Sequence, residues 1–231
     1  MIGILAGMGP KSTGPFVDNV VKQCQEIYGA KDDMDFPHMM IYSCPTPFYI
    51  DKAINHEEME KAIINGAQKL ESTGVEFIAM PCNTAHLYFA QLQASLSIPV
   101  LNMVDETLKE IPPHIKKVSL LATDSTVQSG IYQEGFVKRG IDYIQKDSWQ
   151  TVVNQMIYKI KIGQTTEASH LWNTLCLELA ETVDAAVIAC TDLNVVLETS
   201  QNHFHIVDSS TCLAKAVVNK YLSLQKETCT K

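Results

Sequence analysis

Short apolar runs alternate with amphipathic stretches along this chain of 231 residues. The runs predicted as strands are residues 2–6, 39–42, 77–82, 98–101, 118–122, 186–190 and 204–207. The clearest stretches with apolar residues three and four positions apart, which predict helices, are residues 16–27, 56–70, 149–160 and 168–181. Regular alternation of strands and helices predicts an α/β fold in which each sheet is parallel and flanked by helices.

The second half of the chain repeats the order of the first. Equivalent positions recur at similar separations, namely Leu5 and Leu121 (116 residues), Cys82 and Cys190 (108), and Asp105 and Asp208 (103). These separations agree within ordinary loop insertions and indicate an internal duplication. We therefore predict two pseudo-symmetric lobes, the first formed by residues 1–103 and 212–231 and the second by residues 104–211. Parallel sheets bind ligands at the carboxyl ends of their strands, which predicts an active site in the cleft between the lobes.

Cys82 and Cys190 end equivalent strands of the two predicted lobes. A thiol beside a helix N-terminus is expected to have a pKa below the roughly 8.5 of a free cysteine, because the helix dipole favours the thiolate. The polar residues that follow, Asn83, Thr84 and Thr191, add hydrogen-bond donors for a carboxylate. Two such thiols could remove a proton from one face of an α-carbon and return one to the other face, without a cofactor.

Four segments together resemble the signature segments of the aspartate/glutamate racemase family. They are residues 3–10 (Gly-Ile-Leu-Ala-Gly-Met-Gly-Pro), 81–86 (Pro-Cys-Asn-Thr-Ala-His), 123–132 (Thr-Asp-Ser-Thr-Val-Gln-Ser-Gly-Ile-Tyr) and 189–192 (Ala-Cys-Thr-Asp). The resemblance spans essentially the whole chain. It implies two α/β lobes that each supply a cysteine to one cleft, an amino-acid substrate, no pyridoxal phosphate or other cofactor, and a homodimer.

The resemblance also implies roles for individual residues. By position, Cys82 and Cys190 are the acid/base pair of the family. The substrate-binding residues that it implies are Met8, Tyr49, Asn83, Thr84, Ala85, Thr123, Lys161 and Thr191. Among these, Asn83, Thr84 and Thr191 are expected to hold the α-carboxylate.

Two departures from the family pattern concern the second cysteine and the substrate side chain. The family usually has glycine and glutamate around the second cysteine, where this chain has Ala189 and Asp192. Asp192 keeps the negative charge on a shorter side chain and is expected to be auxiliary to that cysteine. Many members carry an arginine in the loop after the second strand, where Tyr49 stands here. A dicarboxylic substrate, aspartate or glutamate, remains the expectation, with Lys52 or Lys161 supplying positive charge.

Charge and cysteine content bear on the compartment and the partners. A net charge of -8 with no basic cluster argues against a nucleic-acid partner or an anionic membrane surface. Seven cysteines without a CxxC pair are typical of a reducing compartment, and a cytoplasmic location is expected. His86 lies four residues after Cys82, but no second pair completes a zinc site, so no metal is expected. His86 is interpreted instead as a hydrogen-bonded helix residue or a partner of the site.

Other functions fit part of the pattern. Maleate isomerases, hydantoin racemases and arylmalonate decarboxylases share the two-lobe design that the resemblance implies. The decarboxylases use one cysteine, so the presence of both Cys82 and Cys190 argues against that activity. A non-enzymatic alternative is a small-ligand or redox sensor in which the same two thiols form a disulfide on oxidation.

Overall fold

The computed structural model describes residues 1–48, 53–197 and 204–229, and within these ranges eight strands form two four-stranded sheets. The first sheet contains β1 (Ile2–Ala6), β2 (Met39–Ser43), β3 (Phe77–Ala79) and β4 (Val100–Leu101). The second contains β5 (Lys117–Ala122), β6 (Asp142–Tyr143), β7 (Ala185–Ala189) and β8 (His205–Asp208). The strand orders are β2-β1-β3-β4 and β6-β5-β7-β8, with every pairing parallel. The predicted α/β class with two parallel sheets is confirmed.

Helices connect the strands in both halves. The α-helices are α1 (Thr13–Tyr28), α2 (His56–Glu71), α3 (Phe89–Ala94), α4 (Met103–Glu110), α5 (Asp124–Ser129), α6 (Gln133–Lys138), α7 (Asp147–Lys161), α8 (Thr165–Thr182), α9 (Asn194–Leu197) and α10 (Ser209–Cys229). Short 3₁₀ helices span Pro10–Ser12, Asp33–Asp35, Thr84–Tyr88 and Thr191–Leu193. The long helices follow the apolar spacing of the sequence, because that spacing gives each of them one continuous face to bury.

The chain divides into two compact units. One comprises Met1–Glu106 together with Ser210–Lys231, and the other comprises Thr107–Ser209. Each unit therefore contains one of the two sheets, and the final helix belongs to the same unit as the first sheet.

Helices cover both faces of the first sheet. On one face, Ile2 and Ile4 pack against Phe16 of α1 and against Leu213 and Val217 of α10. On the other face, β1 and β3 pack against α2 through a second set of buried residues, which includes Leu5, Ile78, Met59, Ile63, Ala67 and Leu70. All five residues of β1 are buried, as expected for a central strand that is covered on both sides.

The second sheet packs against α7 and α8. Leu121 and Ile188 of the sheet share a core with the two tryptophans of the chain, Trp149 and Trp172. The Trp149 Nε1–H donates to Glu178 Oε2 at 2.8 Å, so the buried indole keeps a hydrogen-bond acceptor and links α7 to α8.

Strand register places the two halves in correspondence. Ala79 of β3 pairs with Leu101 of β4, and Val187 of β7 pairs with Val207 of β8. Ala79 and Val187 each lie three residues before the cysteine of their own half. Leu101 and Val207 are therefore equivalent, and the same strand order in both sheets supports the predicted duplication.

The predicted equivalence of Asp105 and Asp208 is wrong. The register makes Asn102 the counterpart of Asp208, because each directly follows an equivalent strand residue and precedes a helix. Asp105 lies inside α4, where its N–H and that of Val104 face the Asn102 side-chain oxygen at 3.3 and 3.0 Å. Matching the two aspartates by residue type placed the equivalent position in the first half three residues too late, at Asp105 instead of Asn102.

Two segments of the second half differ from their predictions. The sequence pattern predicts a turn over residues 123–126, but residues 124–129 form α5, because Thr123 caps the helix and Gly130 ends it in a left-handed conformation at φ 74°. The short edge strand β6 was not predicted. It has two residues, and one of them is the exposed Asp142, so it lacks the apolar run that indicates a buried strand.

Candidate active site

Cys82 follows the first sheet in a loop that we call the first cysteine loop (residues 80–83). The Cys82 N–H donates to the Met80 carbonyl at 2.8 Å, and the thiol residue is half-buried. The apolar spacing of Ala85, Tyr88, Phe89, Leu92 and Leu96 predicts an amphipathic helix after Cys82. The segment begins instead as the 3₁₀ helix Thr84–Tyr88 and only then continues as α3. A short 3₁₀ turn aligns fewer peptide dipoles than an α-helix, so its effect on a thiolate is smaller than predicted.

The sequence predicts that Asn83 or Thr84 caps this helix, and Asn83 does occupy the N-cap position, but its side chain does not form the cap. Asn83 has right-handed helical dihedrals, φ -62° and ψ -44°, and its side chain makes no capping hydrogen bond within the described part of the chain. Its carbonyl accepts the His86 N–H at 3.0 Å instead. Asn83 therefore already belongs to the 3₁₀ turn, and its polar side chain is not used to begin the helix.

His86 links the first cysteine loop to the start of α4. Its Nδ1 lies 2.8 Å from the Cys82 carbonyl oxygen, and its Nε2 accepts the Met103 N–H at 2.9 Å. The ring stacks on Phe89 with centroids 5.8 Å apart. Burial lowers the pKa of His86 below its usual value, so the imidazole is neutral near neutrality.

Cys190 directly follows β7 and begins the second cysteine loop (residues 190–193). The Leu193 N–H donates to the Cys190 carbonyl at 3.0 Å, which closes the 3₁₀ turn Thr191–Leu193. Cys190 is buried, with 8% of its surface exposed, and both Cys82 and Cys190 are free thiols. Each half therefore carries a thiol at the carboxyl end of its sheet, followed by a polar 3₁₀ turn.

Lys161 and Asp192 form an ion pair beside the second cysteine. The Lys161 Nζ lies 2.9 Å from Asp192 Oδ2, and the two side chains are 20% and 9% exposed. Lys161 is the last residue of α7, so this helix delivers a charge to the second cysteine loop. The structure thus brings together two predicted site residues that are distant in sequence.

A row of side-chain amides on α7 holds the end of β5. Gln150 Nε2 donates to the Ala122 carbonyl and to Asn154 Oδ1, both at 3.0 Å. Asn154 Nδ2 in turn donates to the Asp124 carboxylate at 3.0 Å. These contacts fix the strand end at Thr123, whose Oγ1 caps α5 by accepting the Thr126 N–H at 3.4 Å.

Sequence reasoning missed the role of Gln150 and Asn154. The available signal was their spacing, since Gln150 and Asn154 are four residues apart and lie on the same face of α7. A helix that only covered a sheet would be expected to place such residues in solvent, whereas Gln150 and Asn154 are half-buried.

Met8 lies in the turn after β1, where it is half-buried against the core of the first unit. The shape of this turn depends on Gly7, which has φ +92°. A Cβ at Gly7 would lie 2.6 Å from the Cys44 nitrogen and 2.8 Å from the Cys44 oxygen, so no side chain fits. The Gly7 N–H donates to Thr13 Oγ1 at 3.2 Å, which joins the turn to α1.

The predicted site residues fall at the carboxyl ends of the two sheets. In the first unit these residues are Met8, Cys82, Asn83, Thr84 and Ala85, since β1 and β3 are neighbours in the sheet. In the second unit they are Thr123, Lys161, Cys190, Thr191 and Asp192. The remaining predicted residue, Tyr49, and the alternative cation Lys52 lie outside the described residues.

The described ranges hold neither a cluster of metal-ligating side chains nor a helix that could span a membrane. Residues 1–48, 53–197 and 204–229 contain no group of three or more histidine, cysteine, aspartate or glutamate side chains that could hold a metal ion. None of the helices in this part of the chain is long and apolar enough to cross a membrane.

Comparison with known proteins defines the class. The sequence profile of the Asp/Glu/Hydantoin racemase family matches residues 5–217, and the chain belongs to this family. It is 56% identical over 228 residues to the broad specificity amino-acid racemase RacX of Bacillus subtilis (strain 168), covering 97% of this chain and 100% of that protein.

Solved structures with this fold include other racemases. The Picrophilus torridus aspartate racemase has a TM-score of 0.81 and 31% sequence identity, covering 95% of this chain and 93% of that one. The glutamate racemase of Francisella tularensis in complex with D-glutamate has a TM-score of 0.69 over 97% of this chain and 81% of that one. Its 17% identity makes it evidence for the fold alone.

Proposed function

We propose that this protein is a cofactor-independent amino-acid racemase in which Cys82 and Cys190 are the two proton-transferring groups. The observation that carries the proposal is the repetition of one motif. In each half, a thiol follows the third strand of a parallel sheet and precedes a polar 3₁₀ turn. Membership of the racemase family and the 56% identity to a broad specificity amino-acid racemase support the same activity.

The chemistry needs one thiol on each face of the substrate α-carbon. One cysteine enters as thiolate and removes the α-proton, while the other enters as thiol and donates a proton to the opposite face. The first sulfur then holds the proton and the second carries the negative charge, so the two roles are exchanged after each turnover. Deprotonation spreads negative charge onto the substrate carboxylate, which donors from Asn83, Thr84 and Thr191 would stabilise.

Three of the other cysteines, Cys24, Cys44 and Cys176, suit a structural role. Burial raises the pKa of Cys24 and Cys44, and it raises the pKa of Cys176 to about 12. These thiols stay protonated near neutrality and cannot act as bases. Cys44 also donates to the Ala62 carbonyl at 3.6 Å, as expected for a packed core thiol.

The substrate is proposed to be a free amino acid whose side chain is not restricted to a carboxylate. Aspartate and glutamate, the substrates expected from the sequence, are included in this range. The ammonium of Lys161 is paired with Asp192, so its positive charge does not serve a substrate carboxylate alone. The family arginine is replaced by Tyr49, which also relaxes the demand for an acidic side chain. The broad specificity named for the Bacillus subtilis relative agrees with this proposal.

A homodimer in the cytoplasm completes the proposal. The dimer is what family resemblance implies, and the dispersed cysteines without a CxxC pair support a reducing compartment. Light scattering of the purified chain, of 25.7 kDa per subunit, distinguishes a dimer from a monomer.

The direct test is a screen of α-hydrogen exchange in heavy water across the common amino acids. We expect the wild type to exchange and racemise several of them, and we expect Cys82→Ala and Cys190→Ala to abolish racemisation. Absence of exchange with every amino acid, together with no effect of either substitution, would remove the proposal. Maleate included in the screen reports on isomerase activity through its absorbance.

A further inference from the structure

We propose that His86 is a positioning residue for Cys82, a role that rests on the proposed function. The imidazole bridges the Cys82 carbonyl and the N–H of Met103, the first residue of α4. It joins three elements: the first cysteine loop, the 3₁₀ helix that carries it, and α4. The contact is with the backbone of the thiol residue itself, so movement of the ring would move the peptide next to the thiol.

The two hydrogen bonds define one protonation state of the ring. The Met103 N–H can only donate, so the Nε2 that accepts it carries no proton. The Cys82 carbonyl can only accept, so Nδ1 carries the proton of the neutral imidazole. A neutral ring with its proton on Nδ1 satisfies both contacts. An imidazolium would face the Met103 N–H with a second N–H and lose that bond. Burial lowers the pKa of the ring and outweighs the backbone contacts with Cys82 and Leu101 and the charge of Asp105, which favour the protonated form.

Fixing the Cys82 carbonyl also orients the next amide. The peptide between Cys82 and Asn83 is planar, and in a trans peptide the C=O and N–H bonds point in opposite directions. Because His86 holds the carbonyl on its own side, the Asn83 N–H points away from the ring. This N–H belongs to the loop proposed to hold the substrate carboxylate. His86 therefore orients a backbone donor for the carboxylate as well as the peptide of the thiol residue.

The surroundings keep the ring in place. His86 is 5% exposed, and its ring lies nearly parallel to Phe89, with an angle of 7° between the planes. Both hydrogen bonds lie in a buried site, where the loss of one costs more free energy than it would in water. The imidazole is therefore held by a hydrogen bond at each ring nitrogen and by packing against Phe89.

The second half carries a tie at the corresponding position. Asn194 lies four residues after Cys190, as His86 does after Cys82. Its Nδ2 donates to Asp208 Oδ2 at 3.3 Å, and Asp208 ends β8 immediately before α10. Asn194 thus connects the start of α9 to the end of β8, whereas the Cys190 carbonyl accepts the Leu193 N–H. The contact of a ring with the carbonyl of the thiol residue is therefore described for the first half and not for the second.

Two substitutions separate the contacts of the ring. In His86→Asn the amide occupies the region of Nδ1 and can still donate to the Cys82 carbonyl. In His86→Gln the longer amide reaches the region of Nε2 and can still accept from Met103. His86→Ala removes both contacts. Positioning of Cys82 predicts that the Asn variant retains more activity than the Gln variant, and that the Ala variant is the least active.

Gln93 provides a matched control within the same unit. Its Nε2 donates to the Ile98 carbonyl at 3.0 Å and its Oε1 accepts the Val100 N–H at 2.7 Å. Gln93→Ala therefore also removes a double side-chain tie to backbone, but one that does not touch Cys82. We expect Gln93→Ala to lower the unfolding temperature and to leave kcat within about twofold of wild type. The hydrogen bonds that it removes do not contact Cys82, so their loss should change stability and not the geometry at the thiol.

The readouts are kcat, KM, the unfolding temperature, and the pH dependence of Cys82 alkylation by iodoacetamide in a Cys190→Ala background. We expect His86→Ala to lower kcat by about 10- to 100-fold, the range that a displacement of about 1 Å produces, with a smaller change in KM. Its Cys82 alkylation profile should differ from that of wild type, while the profile of Gln93→Ala should not.

The proposal is overturned if His86→Ala alters only the unfolding temperature, or if the Asn variant is no more active than the Gln variant. If His86→Ala does not fold, the Asn and Gln pair carries the comparison. Failure of the proposed function is distinguishable, because it would show as a wild type that racemises no amino acid. In that event the alkylation profiles, which need no turnover, still report whether His86 positions the Cys82 thiol.

Discussion

At the scale of single residues, the cysteines fall into two groups. Cys24, Cys44 and Cys176 have pKa values raised by burial, whereas Cys82 and Cys190 lie at strand ends beside polar turns. Sequence position alone separated these groups, because only two cysteines end apolar runs at equivalent places in the two halves. Neither the spacing between cysteines nor the composition around each one separates the two groups.

The first prediction concerns selective alkylation. We expect limiting iodoacetamide near neutral pH to label Cys82 first, since it is half-buried while Cys190 is 8% exposed. Cys176 should remain unmodified because burial raises its pKa to about 12. Peptide mass spectrometry of the native protein measures the order. Labelling of Cys176 as fast as Cys82 would contradict the assignment.

The second prediction concerns the Lys161–Asp192 pair. Asp192→Asn leaves the ammonium without its carboxylate, so we expect the ratio of kcat/KM for aspartate over alanine to rise about fivefold, equivalent to about 1 kcal/mol. Lys161→Met should lower the same ratio. Asp184→Asn is the matched control, since Asp184 accepts the backbone N–H groups of Lys116 and Lys117 at the opposite end of β5. An unchanged ratio in Asp192→Asn would exclude the pair as a specificity determinant.

At the scale of elements, the sequence predicted helices best where the helical spacing of apolar residues continues over many residues. The helices α1, α2, α7 and α8 follow apolar spacing over 15 or more residues each. The segments after the two cysteines were predicted less well, because their geometry is decided by tertiary hydrogen bonds. The Cys82 carbonyl bonds to the ring of His86, which the sequence predicts as a hydrogen-bonded residue, but the contact of the same ring with Met103, 17 residues further along, is not visible in any local pattern.

The third prediction concerns the pH dependence of this junction. Burial lowers the folded-state pKa of His86 below 6.5, so the unfolded chain binds a proton that the folded chain does not. Stability from the neutral ring is fully present above about pH 6.5 and is lost as the pH falls from there toward the folded-state pKa. We expect thermal melts to show a larger loss between about pH 7.5 and pH 5 for wild type than for His86→Asn. Equal losses would contradict this account of the junction.

The fourth prediction concerns α10. Leu213 is fully buried against β1 and α1, so Leu213→Ala should lower the free energy of unfolding by about 2–5 kcal/mol. Leu177 on α8 is 68% exposed, and Leu177→Ala should change it by less than about 0.5 kcal/mol. Urea denaturation of the two variants provides the comparison. Similar losses in both would show that α10 does not contribute to the core of the first unit.

At the scale of the whole molecule, the duplication is the feature that unites fold and proposed chemistry. Both sheets have the same strand order, and equivalent register places Cys82 and Cys190 at matching points of the two halves. The duplication was predictable from Leu5, Leu121 and the two cysteines. Matching Asp105 with Asp208 failed, because residue type is a weaker guide than strand register.

The side-chain pocket was less predictable than the acid/base pair. The sequence showed that the family arginine is replaced by Tyr49, but it could not show that Lys161 reaches Asp192 across 31 residues of chain. That contact depends on where α7 ends relative to the turn after β7. The Lys161–Asp192 contact therefore depends on tertiary placement, whereas the position of each thiol depends on one strand and its register.

The most direct test of the central claim is the isotopic outcome of racemisation in heavy water at early times. A two-thiol mechanism predicts that the enantiomer formed carries deuterium at its α-carbon while the recovered starting enantiomer does not. Cys82→Ala and Cys190→Ala should each abolish formation of the opposite enantiomer, and Cys176→Ala should retain it. Racemisation that survives loss of either Cys82 or Cys190 would contradict the account.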